Sequence, residues 1–213
     1  MAIKKPFFIC FEGVEGSGKS TQAKLLYKFI KKNITKNVIL TREPGGTLFS
    51  EKIRNLILDK KTNISTLTEF FLLMAARNEH IISKINFYLK KNFIIICDRF
   101  FYSTLAYQHY LEDMDKKFIF NVQKKIYKKI HPDITFLIDL NNKESKIRIS
   151  NRSKKTNRFD KLSSYHFNKI RNGFIKISKT YKNKIVLIKG SRSLIEIQNE
   201  INKKTLKILN ARF

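Results

Sequence analysis

The chain is poor in the residues that divide a polypeptide into separate units. Its 213 residues include only seven glycines and three prolines, and no stretch is rich in proline, glycine and serine. Linkers between domains usually have that composition, so we expect a single domain over residues 1–213. A hydrophobic content of 42% is sufficient for one sizeable core.

Cysteine is also scarce in this chain. Only Cys10 and Cys97 are present, and both lie in short apolar runs, where a cysteine is usually a small buried residue. This excludes a disulfide-rich scaffold and favours a reduced, cytoplasmic protein. The longest apolar runs, such as residues 93–97, are far too short to cross a bilayer as a helix, so we expect no membrane association.

Acidic residues are few relative to basic ones. The chain has 17 aspartates and glutamates against 44 lysines and arginines, a net charge of +27. Such a charge is typical of proteins that bind nucleic acid or anionic membranes. Here, however, the lysines are spread along the whole chain together with many isoleucines, asparagines and phenylalanines, which also have A/T-rich codons. We therefore attribute the charge to genome composition and expect no nucleic-acid partner.

Short apolar runs predict buried strands, and segments with helical spacing separate them. The runs occupy residues 7–11, 38–40, 93–97, 134–138 and 185–188. One intervening segment, residues 67–89 after Ser65, has Phe70, Met74 and Arg77 at helical spacing. This alternation predicts an α/β fold in which helices cover both faces of a parallel sheet of about five strands.

The strongest motif lies between the first predicted strand and the first predicted helix. It is a phosphate-binding loop made of Gly13, Val14, Glu15, Gly16, Ser17, Gly18, Lys19 and Ser20. In such a loop, backbone N–H groups and the helix N-terminus converge on phosphate oxygens. We expect the loop to bind ATP, with Lys19 on the transferred phosphate and Ser20 on Mg²⁺.

Two further motifs follow predicted strands. Asp98 and Arg99 come directly after residues 93–97, where ligands of an open α/β sheet bind, and they can serve Mg²⁺ and a phosphate group respectively. A surface ion pair is the alternative. Residues 41–47 form a loop shaped by one proline and two glycines, in which Pro44 can be cis or trans. An ordinary turn is the alternative there.

Three arginines lie within or near a polar segment, residues 150–157, that has no apolar anchor. Arg148 and Arg152 are spaced to share one helix face, and Arg158 follows the segment. We expect a mobile lid near residues 148–160 whose arginines neutralise charge during phosphoryl transfer and whose closure excludes water. A solvated basic loop is the alternative.

In this order, the motifs resemble those of the bacterial thymidylate kinases, P-loop nucleoside monophosphate kinases. The similarity includes the phosphate-binding loop, TREPGGT at 41–47, AAR at 75–77, the DR…STxAYQ pattern at 98–108 and the PD…D pattern at 132–139. The resemblance implies a three-layer P-loop NTPase fold with a small lid. It also implies phosphoryl transfer from ATP to dTMP with Mg²⁺, by an enzyme that commonly forms homodimers.

The resemblance assigns a role to each matched position. The catalytic groups are Lys19, Asp98, Arg99, Arg158 and Glu15. The groups that bind dTMP are Arg42, Arg77, Arg99, Ser103, Thr104 and Gln108. Ser20 and Asp98 are the groups for the metal, Glu15 lies near the deoxyribose 3′-hydroxyl, and Arg77 hydrogen-bonds the thymine ring.

The chain departs from relatives at two informative positions. Gly16 stands where some family members have an arginine, so a lid arginine, best matched by Arg158, must supply that charge. Leu73 stands where many have a phenylalanine against the thymine, so another ring, such as Phe100 or Tyr107, must supply the stacking. The remaining alternatives are a different nucleotide kinase and a non-catalytic P-loop protein that binds nucleic acid.

Overall fold

The computed structural model describes residues 5–59, 61, 63–127, 130–152 and 156–211. In these residues one parallel sheet has the order β2-β3-β1-β4-β5. Its strands are β1 (Phe7–Glu12), β2 (Val38–Arg42), β3 (Ile94–Asp98), β4 (Ile134–Asp139) and β5 (Ile185–Lys189). All five predicted strands are confirmed, and β1, β3 and β4 each extend to an acidic residue just beyond the apolar run.

Helices connect the strands and cover the sheet. They are α1 (Lys19–Asn33), α2 (Leu48–Leu58), α3 (Thr66–His80), α4 (Asn86–Lys90), α5 (Phe101–Thr104), α6 (Lys116–Tyr127), α7 (Asn142–Ser150), α8 (Ser164–Thr180) and α9 (Leu194–Asn210). The hydroxyl of Ser65 accepts a hydrogen bond from the backbone N–H of Thr68, as an N-cap does. The predicted start of α3 is therefore confirmed, and a π-helical turn at Ile81–Ile85 joins α3 to α4.

Strand β1 is buried on both faces because its side chains alternate between two cores. Phe7, Ile9 and Phe11 pack with residues of α1 and α9, whereas Phe8 and Cys10 pack on the opposite face with aromatic and isoleucine side chains. A strand covered on both sides needs an almost continuous apolar sequence. This explains why residues 7–11 are all apolar, up to the single carboxylate of Glu12 that precedes the phosphate-binding loop.

The two cysteines are free and buried, as the sequence predicts. Burial is the main cause that raises the pKa of both thiols, Cys10 and Cys97. The described part of the chain contains no helix with the length and apolar character needed to cross a membrane.

The register of the strands brings their carboxyl ends to one edge of the sheet. Asp98 at the end of β3 lies opposite Phe11 of β1 on one side and Arg42 of β2 on the other. The loops that follow these strands therefore meet at the same edge, where open parallel sheets bind ligands.

Candidate active site

A cleft of about 1220 Å³ opens at this edge. Most of the residues predicted from the sequence to form the site line it, with the exception of Gly13, Val14, Ser17 and Arg158. Pockets for one small ligand usually have about 300–1,000 Å³. The volume of the cleft is therefore above the usual range for a single small ligand.

The phosphate-binding loop joins β1 to α1. Helix α1 begins at Lys19 without a side-chain cap, so its first N–H groups are available to an anion. Gly13 has φ 143°, and a Cβ atom there would lie 2.5 Å from the carbonyl oxygen of Ile138. Only glycine allows this close approach of the loop to β4.

Lys19, Ser20 and Asp98 form what we call the phosphate edge. The Lys19 ammonium donates to the carbonyl of Val14 at 3.1 Å, and burial, followed by the charge of Arg99, lowers its pKa to about 8. The Ser20 hydroxyl donates to Asp98 Oδ2. Asp98 Oδ1 is buried without a hydrogen-bond partner among the described residues. One hydroxyl and one carboxylate thus lie together beside the loop.

Glu15 links the phosphate-binding loop to the opposite side of the cleft. Its Oε1 accepts from Arg99 at 2.6 Å, and its Oε2 accepts from the hydroxyl of Tyr107 at 2.6 Å. Arg99 also donates to Ser103 at 3.0 Å and to Tyr107 at 3.1 Å. Burial alone would lower the pKa of Arg99, but Tyr107 and Glu15 raise it, so the guanidinium remains charged.

The far side of the cleft is a buried network that we call the acceptor wall. Its members are Thr41, Glu43, Arg77, His80 and Thr104. Arg77 donates to Glu43 at 2.5 Å, to Thr104 at 2.7 Å and to the carbonyl of Phe100 at 2.7 Å. Although burial lowers the pKa of Arg77, the carboxylate of Glu43 raises it above its ordinary value.

His80 completes the acceptor wall from the end of α3. Its Nδ1 lies 3.0 Å from Glu43, and its Nε2 lies 2.7 Å from the hydroxyl of Thr41. Burial alone raises the pKa of Glu43, but Arg77 and His80 bring it below its ordinary value. The peptide bond between Glu43 and Pro44 is cis, which answers the question that the sequence left open.

Two further arginines line the cleft. Arg42, predicted from the sequence, pairs with Glu51 at 2.7 Å and is half exposed. Arg54 on α2 was missed, although it lines the cleft and donates to the carbonyl of Pro44 at 2.9 Å. Burial, and then the neighbouring charge of Arg42, lower the pKa of Arg54 to about 10.

Helix α7 packs directly on the phosphate-binding loop. The hydroxyl of Ser145 donates to the carbonyl of Glu15 at 2.8 Å. A Cβ atom at Gly16, where φ is 71°, would lie 2.8 Å from the carbonyl oxygen of Ser145. A larger side chain at this position therefore has no room while α7 occupies its place.

The prediction that Arg148 and Arg152 share one helix face is wrong. Helix α7 ends at Ser150, so Arg152 lies beyond it and pairs with Asp160 at 2.5 Å. Arg148 instead donates to the carbonyl of Ser17 at 3.5 Å, at the phosphate-binding loop. The asparagine and serine that end the helix do not favour another helical turn.

Arg158 does not line the cleft and lies behind its acceptor side, against Glu69, rather than at the phosphate-binding loop. It donates to Glu69 of α3, and its guanidinium carbon lies 4.6 Å from the centre of the Phe159 ring. The lid arginine that contacts the loop in this structure is Arg148. Residues 153–155 of the predicted lid lie outside the described residues.

The structure contradicts one of the two predicted stacking candidates, Phe100. Phe100 is fully buried behind Arg77 and does not line the cleft, so it cannot contact a ligand there. Tyr107 does line the cleft, and its ring centre is 5.6 Å from that of Phe159, a further cleft residue that no motif in the sequence indicated.

Other missed residues are acidic side chains that hold the site together. Glu12 accepts from the backbone N–H groups of Phe100 and Ser103 and from the Ser103 hydroxyl, and burial raises its pKa. Glu69 accepts from Gln108 at 2.9 Å. The sequence does indicate Glu12 as a candidate, because it is a single carboxylate at the end of a buried strand.

The chain is similar over most of its length to known thymidylate kinases. The family model described as "Thymidylate kinase" matches residues 11–201. The thymidylate kinase of Sulfurihydrogenibium sp. (strain YO3AOP1) is 38% identical over 196 residues, 92% of this chain and 94% of that protein. The thymidylate kinase of Wolbachia pipientis wMel is 42% identical over 172 residues, 80% of this chain and 84% of that protein. The crystal structure of thymidylate kinase from Ehrlichia chaffeensis matches with a TM-score of 0.77 and 33% identity, covering 94% of this chain and 99% of that chain.

Proposed function

The chain belongs to the thymidylate kinase family and phosphorylates dTMP to dTDP with ATP, and we propose that it does so in the cleft between the phosphate edge and the acceptor wall. The observation that carries this proposal is the pair formed by Glu15 and Arg99, at 2.6 Å. It joins a residue of the phosphate-binding loop to an arginine that follows β3. Donor and acceptor can therefore meet in one cleft.

On the donor side, Lys19 and the backbone N–H groups of the loop hold the phosphates of ATP. Ser20 and Asp98 would hold Mg²⁺, and the unpartnered Oδ1 of Asp98 fits this role because Mg²⁺ prefers oxygen ligands. In phosphoryl-transfer sites Mg²⁺ usually binds one or two carboxylates together with substrate phosphates, so few protein ligands would be needed. When bound, the ion would neutralise charge on the phosphates.

On the acceptor side, Arg99 binds the phosphate of dTMP, assisted by Arg42. Arg77, Ser103, Thr104 and Gln108 bind the thymine and the sugar, and Glu15 lies at the deoxyribose 3′-hydroxyl. The buried charges of Arg77 and Arg99 support these roles, because fixed cations bind anions and carbonyl oxygens without reorganisation.

The lid near residues 148–160 supplies the remaining positive charge through Arg148, Arg152 and Arg158. Since Gly16 has no side chain and is covered by α7, the loop itself cannot provide an arginine at that position. Alignment of the two phosphates and neutralisation of charge then produce most of the acceleration. The lid and the sheet form one domain in this proposal.

A steady-state assay with ATP, Mg²⁺ and a panel of dTMP, dUMP, dCMP and thymidine tests the proposal. We expect dTMP to be the preferred acceptor. Phosphorylation of thymidine with no reaction of dTMP would indicate a nucleoside kinase instead. Salt-dependent DNA binding without phosphoryl transfer would indicate the nucleic-acid-binding alternative.

We also propose that the enzyme is a homodimer in the cytoplasm. Phe71 of α3 and Phe118 of α6 have ring centres 6.3 Å apart and are 49% and 36% exposed, beside the half-exposed Leu67. Such an apolar patch is typical of an interface. Light scattering should show a dimer that Phe71→Asp converts to a monomer, whereas Ile195→Asp, at an exposed position of α9, should leave it intact. A monomeric wild type contradicts this proposal.

A further inference from the structure

Glu69 of α3 connects two parts of the site that the proposed mechanism treats separately. Its Oε1 accepts from Nε2 of Gln108 at 2.9 Å, and its Oε2 accepts from Nη2 of Arg158. The Glu69 side chain is only 12% exposed. Both carboxylate oxygens are therefore occupied, one by a residue of the acceptor site and one by a residue of the lid.

The contact with Glu69 determines how the amide of Gln108 is oriented. A carboxylate only accepts hydrogen bonds, so Gln108 must turn its NH₂ group toward Glu69 and its Oε1 in the other direction. Gln108 is 2% exposed and lines the cleft, and its Oε1 is buried without a partner among the described residues. The site thus offers a hydrogen-bond acceptor to a ligand at this point.

The pyrimidine bases differ in the group that would meet this acceptor. Thymine and uracil carry an N–H donor at N3 and a carbonyl at C4, whereas cytosine has an acceptor at N3 and an amino group at C4. Arg77, which also lines the cleft, offers only donors. An acceptor and a donor that line the same cleft match the edge of thymine or uracil and leave cytosine with two unfavourable contacts.

We propose that Glu69 is a specificity-determining positioning residue, which holds the amide of Gln108 so that the site accepts 4-oxo pyrimidines and rejects cytosine. The inference rests on the proposed role of Gln108 in binding the base. Arg158 supports the arrangement from the lid, because its contact with the second oxygen restrains the carboxylate. A base of the wrong type therefore meets a carbonyl oxygen that cannot rotate away.

The substitution Glu69→Gln tests the inference, because two carboxamides can pair in either orientation and Gln108 becomes free to flip. We expect the ratio of kcat/KM for dTMP to that for dCMP to fall about tenfold to a hundredfold. The ratio for dTMP to dUMP should stay unchanged, because both bases present the same N3 and C4 groups. A general loosening of the site would alter both ratios.

Three further variants separate an effect of Glu69 on base selectivity from a general effect on the enzyme. Glu79→Gln is the same change on the same helix outside the cleft and should leave both ratios unchanged. Arg158→Ala removes the restraint on the second oxygen of Glu69 but keeps the contact between Glu69 and Gln108, so the dTMP to dCMP ratio should fall less than in Glu69→Gln. Glu69→Ala serves if Glu69→Gln does not fold, with the same expected loss of selectivity.

The outcomes separate this inference from the assignment on which it depends. An unchanged dTMP to dCMP ratio in folded Glu69→Gln overturns the role of Glu69. Unchanged KM and selectivity in Gln108→Ala overturn instead the proposed placement of Gln108 in the base site. A wild-type enzyme that accepts dCMP as readily as dTMP overturns the inference directly.

Discussion

The acceptor wall and the phosphate edge satisfy their charges in different ways. In the wall, each nitrogen of the Arg77 guanidinium donates to a protein oxygen, and Glu43 accepts from both Arg77 and His80. At the edge, Asp98 retains a buried oxygen without a partner among the described residues. The hydrogen bonds of the acceptor wall are thus formed without a ligand. The phosphate edge, in contrast, keeps polar groups that a phosphate and a cation can satisfy.

The largest effect should come from breaking the wall with Glu43→Ala. This change leaves the buried Arg77 charge and His80 without their shared partner, and breaking a buried pair usually costs about 3–5 kcal/mol of stability. Urea unfolding measures the loss. The matched control is Glu51→Ala in a neighbouring ion pair, whose side chains are 49% and 34% exposed against 5% and 3% for Arg77 and Glu43. There the expected loss is about 1 kcal/mol or less.

The effect of Glu43→Ala should also depend on pH. Because the folded chain lowers the pKa of Glu43, its contribution is present above the ordinary carboxyl pKa and is lost as the pH falls through the folded value. The difference in unfolding free energy between wild type and variant should therefore shrink in acid. A difference that is small at neutral pH would show that the wall is not a stabilising network.

The next effect concerns the phosphate edge and should appear in catalysis rather than in stability. Lys19→Ala removes a buried charge that we propose acts on the transferred phosphate, and we expect kcat to fall by about a hundredfold to a thousandfold. Binding of dTMP, measured by calorimetry without ATP, should change little. Lys28→Ala, at an exposed position of the same helix, is the control. Comparable turnover in both variants would contradict the assignment of Lys19.

The lid arginines should give a similar or smaller effect. We expect Arg158→Ala to lower kcat by about a hundredfold while dTMP affinity stays nearly intact, because lid charge acts mainly on the transition state. Arg148→Ala is the comparison, since Arg148 contacts the phosphate-binding loop in this structure. Unchanged turnover in Arg158→Ala together with a loss in Arg148→Ala would move the catalytic role to Arg148.

The smallest effect should come from the contact between α7 and the phosphate-binding loop. Ser145→Ala removes one hydrogen bond to the carbonyl of Glu15, so we expect a loss of about 1 kcal/mol in stability and a modest rise in the KM for ATP. Ser150→Ala removes a hydroxyl that, among the described residues, donates to a carbonyl of its own helix, and it is the control. Weaker ATP binding in Ser150→Ala but not in Ser145→Ala would show that the contact between α7 and the phosphate-binding loop does not support ATP binding.

The sheet could be predicted from the sequence because burial on both faces requires apolar residues at successive positions. The five apolar runs therefore predicted the five strands within one or two residues. The phosphate-binding loop could also be predicted, because its glycines and Lys19 form a continuous pattern between a strand and a helix. The end of helix α7 could not be predicted in this way, because Arg148 and Arg152 have helical spacing although the helix ends between them, at Ser150.

The contacts among distant polar residues could not be predicted in the same way. Glu43 and His80 lie in different segments, and no periodicity relates a carboxylate after β2 to an imidazole at the end of α3. The same is true of Glu69, which contacts Gln108 and Arg158 from different parts of the chain. Charged side chains look alike in a lysine-rich sequence whether they are solvated or buried.

The sequence by itself determined the α/β architecture, the phosphate-binding loop and the family to which the chain belongs, because each depends on residues that are close in the chain. Only the tertiary structure decided which carboxylate holds which cation. Arg158 illustrates this, because its motif predicted a lid arginine but the fold places it against Glu69 on the acceptor side. Pairing depends on the direction and burial of side chains, which the packing of the helices on the sheet alone defines.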